Sequence, residues 1–120
     1  MGLDQWLKYV SDDGYSSEKY FRKCNWLRNW VIQNTELSHD SDTEEVELTR
    51  PQLEDLKEKC EDVLQHKEKA DELLPTLGGF FFGSYEYDEW YFDQVKSVKN
   101  DLEEILANKN WEEVIYTDWW

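Results

Sequence analysis

Basic side chains are scarce in this chain. Lys and Arg number 13 against 28 Asp and Glu, a formal net charge of −15. Direct binding to DNA or RNA neutralises phosphates with clusters of Lys and Arg. The composition therefore excludes a nucleic-acid binder, and for the same reason a protein that docks on anionic lipid. Cysteine is nearly absent. Cys24 and Cys60 form neither a Cys-x-x-Cys pair nor a zinc spacing, which predicts buried reduced thiols in an intracellular protein. The two histidines, His39 and His66, stand alone, with no His-x-x-x-His or Glu-x-x-His around them. No metal and no cofactor is expected. No apolar run approaches the ~18 residues of a membrane span. The opening Met-Gly-Leu-Asp-Gln-Trp has no signal pattern, and Trp6 stands where myristoylation needs Ser or Thr. The expectation is a cytoplasmic protein with no membrane association.

Aromatic residues are abundant, with 7 Trp, 7 Tyr and 5 Phe among 120 residues. The length suits a single domain over residues 1–120, with one core. So many tryptophans in a small domain predict that some are partly exposed, as at partner surfaces.

Periodicity gives the order of elements. In residues 3–10, Leu3, Gln5, Leu7 and Tyr9 alternate with Trp6 and Val10, which predicts a strand, with a short helix as the competing reading. Ser11-Asp12-Asp13-Gly14 is a turn. Ser17 to Asn34 reads as a helix with the stripe Phe21, Cys24, Leu27 and Val31. Thr35 to Glu47 carries six acids and no Lys or Arg, and its end, Thr43–Leu48, alternates as an edge strand. Thr49-Arg50-Pro51-Gln52 is a capping box with proline in the first turn. The stripe Leu53, Leu56, Cys60, Val63 and Leu64 carries that helix to about Lys69, with an extension toward Pro75. A further helix starts near Ser84 or Tyr85 and runs to about Asn108, on Tyr87, Tyr91, Val95, Val98, Leu102 and Ile105. Val114 to Trp120 reads as a terminal strand that pairs with the first. The fold class is α+β, three helices packed on a small sheet of terminal and edge strands. An all-α bundle is the alternative if both terminal segments are helical.

Two sets of residues are candidate sites. The first is acidic: Glu36, Asp40, Asp42, Glu44 and Glu45 in one stretch, and Glu86, Asp88, Glu89 and Asp93 in another. Glu86, Glu89 and Asp93 fall at i, i+3 and i+7, one ridge if all are helical. The second is a ligand pocket between the Phe80–Ser84 turn and the helix read over Ser17–Asn34, lined by Arg22, Trp26, Arg28, Trp30, Phe81, Ser84 and Tyr87. Arginine beside aromatic faces suits a planar anion. No nucleophile elbow, phosphate loop or paired catalytic acid is evident, so an enzyme is not the leading expectation.

The run Leu73-Leu74-Pro75-Thr76, then Gly79-Phe80-Phe81-Phe82-Gly83-Ser84-Tyr85-Glu86-Tyr87-Asp88-Glu89-Trp90-Tyr91, with the opening Met1-Gly2-Leu3-Asp4, resembles a family of small phage and prophage proteins. The likeness covers most of the length. Leu77, Gly78 and Tyr85 depart from the polar residues commoner there. The resemblance implies a phage accessory protein in a host cytoplasm, and it implies no mechanism. Combined with the charge, the expectation is an acidic interaction protein. It would inhibit a host nucleic-acid-binding defence or nuclease complex, of DNA-mimic or anti-CRISPR type, by binding a basic host protein. The alternative is a small-molecule or nucleotide-binding protein or enzyme with its pocket at the Phe80–Ser84 turn. A structural virion part is a third reading.

Overall fold

Leu3, Gln5, Leu7 and Tyr9 are all buried along one side of the first strand, β1 (Asp4–Ser11), while Lys8 and Val10 on its other side are exposed. That alternation is the period of a half-buried strand, and it sets the architecture. The computed structural model describes residues 3–11, 16–36, 43–77, 86–107 and 111–119. Its remaining elements are β2 (Ser16–Arg22), α1 (Asn25–Asn34), β3 (Thr43–Leu48), α2 (Arg50–Gln65), α3 (Ala70–Leu73), α4 (Glu89–Ala107) and β4 (Trp111–Trp119), with one 3-10 turn at Lys67–Lys69. The strands form one antiparallel sheet in the order β2-β1-β4-β3. The fold is α+β. The two chain ends meet in the middle of the sheet, where Leu7 faces Tyr116 and Tyr9 faces Val114.

The helices cover one face of this sheet. Leu7, Tyr9, Phe21, Leu48, Val114 and Tyr116 from the strands share a single core with Trp26, Leu27, Trp30 and Val31 of α1, Leu53, Leu56, Cys60 and Val63 of α2, and Tyr91, Val95, Val98, Leu102 and Ile105 of α4. The helical stripes at spacings of three and four are what places them there. Of the α4 residues expected inside, Tyr87 alone is exposed, because the helix starts two residues after it.

Helix ends follow their local chemistry. Thr49 caps α2: its hydroxyl accepts from the Gln52 N–H at 3.3 Å, and the Gln52 amide oxygen accepts from the Thr49 N–H at 2.9 Å. This is the capping box read from the sequence. Next to this cap, the Arg50 guanidinium lies 4.2 Å from the Trp111 ring centre and donates to the Leu106 carbonyl at 3.1 Å. A cation there satisfies a terminal carbonyl and opposes the negative end of the α4 dipole.

Three boundaries differ from expectation. The segment read as one helix from Ser17 to Asn34 is a strand and then a helix. Residues 16–22 alternate, with Phe21 buried and Tyr20 and Arg22 exposed, and they pair with β1 as a hairpin. Lys23, at φ 54°, breaks the chain direction before α1. The spacing of Phe21 from Cys24 fitted a helix by coincidence. Second, α2 ends at Gln65, and the expected extension is a 3-10 turn followed by the short α3. Third, α4 begins at Glu89, not near Ser84. Its cap is Asp88, whose Oδ1 accepts from the Tyr91 N–H at 3.1 Å. Ser84, Tyr85 and the turn at 11–14 lie wholly or largely outside the described residues.

Candidate functional site

Helix α1 contributes a cation to the interior. Arg28 is fully buried on α1, and its Nη1 donates to Oδ2 of Asp118, equally buried on β4. The same Asp118 oxygen accepts from the Tyr116 hydroxyl at 2.8 Å. That hydroxyl accepts in turn from Gln5 Nε2 at 3.0 Å. Gln5 also clamps the backbone of Cys24: its Nε2 donates to the Cys24 carbonyl at 2.9 Å, and its Oε1 accepts from the Cys24 N–H at 2.9 Å. A chain of buried groups thus ties β1, β4 and the start of α1 together. Burial, then the Asp118 charge, pushes the Tyr116 phenol well above its ordinary range, so it stays protonated as a donor. Burial likewise raises both thiols, Cys24 and Cys60, so neither is a ready nucleophile. None of these groups faces solvent, and their arrangement fixes structure.

The sheet face turned away from the described helices is different in kind. Register puts residues in rows across it. One row reads Arg22, Asp4, Trp119; the next Tyr20, Trp6, Thr117, Glu45; the next Glu18, Lys8, Ile115, Glu47. Trp119 is 60% exposed and Tyr20 53%. Trp6 packs on Tyr20 at 5.6 Å between ring centres, and Lys8 Nζ lies 5.9 Å from the Trp6 ring. The Tyr20 hydroxyl donates to Asp4 at 2.5 Å, a bond that raises the Tyr20 phenol. Exposed rings therefore gather at one corner of the sheet, in two adjacent rows.

A groove of about 220 Å³ continues this corner around the edge of β2 to α4, between Tyr20, Arg22, Trp90 and Gln94. Trp90 is 64% exposed. Gln94 holds the groove's floor: it accepts from Trp26 Nε1 at 3.1 Å and donates to the Lys23 carbonyl at 3.2 Å. At the opposite edge of the sheet, Glu36 and Glu47 line a shallow groove with Asn34, Val46 and Gln52.

The sequence-derived sites are reorganised by this fold. Of the acidic set, Glu36 and Glu45 are exposed, Glu45 on the open sheet face. Glu44 enters β3 opposite Asp118, and only its backbone is described. Asp40 and Asp42 lie outside the described residues. Glu86, Asp88, Glu89 and Asp93 are all exposed. They do not form a single helical ridge, because Glu86 and Asp88 precede α4 and Asp88 serves as its cap. The expected ligand pocket does not assemble from its described members. Trp26 and Arg28 are fully buried and Trp30 nearly so, whereas Arg22 is exposed at the β2 edge. Tyr87 bonds through its hydroxyl to the Thr76 N–H at 3.1 Å. Phe81 and Ser84 lie outside the described residues.

Sequence reading missed Asp118, Gln5, Tyr116 and Trp119. The period-two alternation of β4 was the available signal: it places Val114, Tyr116 and Asp118 inward and Trp119 outward. Among the described residues, no group of His, Cys, Asp and Glu is arranged to hold a metal ion, and no helix is long and apolar enough to cross a membrane. Comparison of the chain with protein-family models, curated proteins and solved structures finds no match.

Proposed function

We propose that this protein is an acidic interaction module that binds a basic protein partner in place of nucleic acid. The observation that carries the reading is the charge of the open sheet face. Asp4, Glu18, Glu45, Glu47 and Glu113 share it with just Lys8 and Arg22 among the described side chains. Glu45 and Glu47 are exposed on the edge strand β3, and Glu36 stands beside Glu47. Alternate residues of a strand lie roughly 7 Å apart, a spacing close to that of phosphates along one DNA strand. Exposed rings in the same face supply the apolar anchors such interfaces need. The resemblance to phage proteins suggests the partner class: a host nuclease, restriction enzyme or guide-RNA effector with a phosphate-binding groove. Complementary potential speeds encounter and selects the partner.

The test is capture on the immobilised protein, with release by salt and by a DNA duplex. The Debye length shrinks from about 10 Å at 0.1 M salt to about 3 Å at 1 M. The captured protein should leave the matrix within that range and should also be displaced by DNA. Glu36→Gln, Glu45→Gln and Glu47→Gln together should weaken capture more than Glu54→Gln with Glu58→Gln on α2. Capture that survives high salt and ignores DNA overturns the proposal.

A further inference from the structure

We infer that the aromatic corner of the open face reads arginine. Its occupant is an extended, arginine-bearing segment of the partner, with guanidinium groups stacked on Trp119 and Trp6 and paired with nearby carboxylates. This rests on the binding mode proposed above and specifies which cation it selects.

Three observations support it. The rings are presented without cover: Trp119 and Tyr20 are more than half exposed. Carboxylates surround them in the register. Asp4 lies directly opposite Trp119, and Glu45 stands diagonal to Trp119, one strand over. A diagonal neighbour in a sheet is roughly 7–8 Å away, so one guanidinium on the Trp119 face reaches a carboxylate with its fork. Finally, the face already accepts a cation, because Lys8 Nζ sits 5.9 Å from the Trp6 ring. That contact is intramolecular, and an incoming cation competes with it.

Arginine suits this surface better than lysine for physical reasons. The guanidinium is planar, so it stacks on a ring and still presents donors in its plane to a carboxylate. It is also more weakly hydrated than an ammonium, so stacking costs less desolvation. A surface that recognised positive charge alone would not need rings.

The experiment compares nona-arginine with nona-lysine, fluorescently labelled, titrated with the full-length protein at low salt. Both peptides carry the same charge. The expected result is that nona-arginine binds about tenfold tighter, the scale of two exposed cation–π contacts. Trp119→Ala should remove most of that preference while leaving nona-lysine affinity nearly unchanged, and Trp119→Phe should restore part of it. Trp119 is 60% exposed, so its truncation leaves the core untouched. Lys8→Gln vacates the Trp6 ring and should tighten nona-arginine binding severalfold. Salt-dependent binding of both peptides with equal affinity overturns the arginine reading and leaves the electrostatic one standing. A preference that persists in Trp119→Ala and in Trp6→Leu also overturns it. Failure of both peptides to bind overturns both readings.

Discussion

Replacing Asp118 by Ala takes the counter-charge from a guanidinium in the core. Arg28 and Asp118 have no exposed side-chain surface. Removing one partner of a buried ion pair costs about 3–5 kcal/mol, chiefly because the survivor stays charged and desolvated. The Tyr116 hydroxyl loses its acceptor at the same time, worth about 1 kcal/mol more. Domains have total stabilities of roughly 5–15 kcal/mol, so Asp118→Ala should remove a third or more of what holds the fold. Arg28→Met should cost a similar amount, by taking the counter-charge from a buried carboxylate. The double variant Arg28→Met with Asp118→Leu should recover most of the loss, since apolar groups of like volume often replace a buried pair at little cost. Urea unfolding followed by far-UV circular dichroism measures all four states of this cycle. With a slope of about 1–3 kcal/mol per molar urea, each single variant should lose well over 1 M in midpoint. A single variant within about 1 kcal/mol of the parent protein would refute the reasoning. A double variant no better than the worse single would refute it equally.

Two other predictions concern stability. Cys24, Cys60 and Tyr116 hold their protons in the fold above their ordinary values of 9.0, 9.0 and 10.0, because burial disfavours the charged forms. The folded state then binds more protons than the unfolded state once pH passes about 9, so stability is fully present below that pH and falls as pH rises. With all three groups in play the slope approaches about 4 kcal/mol per pH unit above pH 10, from roughly 1.4 per group. Urea midpoints measured from pH 7 to 10.5 should be flat and then drop, and Cys60→Val should soften the drop; a flat profile to pH 10.5 contradicts the burial argument. Separately, Thr49→Ala should destabilise by about 1 kcal/mol through loss of the α2 cap, with Thr49→Ser nearly neutral, and equal melting temperatures for all three proteins would remove the capping box from the account.

Much of the fold was legible in the sequence where one signal acted alone. Leu3, Gln5, Leu7 and Tyr9 alternate, imperfectly but enough to favour a strand over a short helix, and β1 follows. Thr49, Pro51 and Gln52 mark a helix start by local hydrogen bonding, and α2 begins there. Failure came where two periods overlapped. Phe21 and Cys24 satisfy a spacing of three, yet Ser17, Lys19 and Phe21 also satisfy a spacing of two, and the hairpin partner on β1 decides between them. Local propensity has no access to that partner. The candidate site was less legible for the same reason. The aromatic corner joins Tyr20, Trp6 and Trp119, residues that only the strand register makes neighbours. Arg28 and Trp26 were assigned to a pocket because Arg and Trp often line one, whereas their partners Asp118 and Gln94 lie 90 and 68 residues away in the chain.

The surroundings of the carboxylates depend on where the cations go. Acids are everywhere: α2 and α4 carry them as densely as the strands do. On the helical side the cations answer them. Lys57 pairs with Glu61, Lys59 with Asp55, Lys99 with Glu103, and Lys19 with Glu104 across to α4. Arg28 is committed to the core and Arg50 to the end of α4. Exposed pairs of this sort add at most about 1 kcal/mol each to stability, so their larger consequence is distribution. They answer part of the helical charge, and Glu54, Glu58, Glu89 and Asp93 stay exposed outside those pairs. The open sheet face differs in setting its carboxylates beside exposed tryptophan and tyrosine rings, a combination whose chemistry suits a cationic partner.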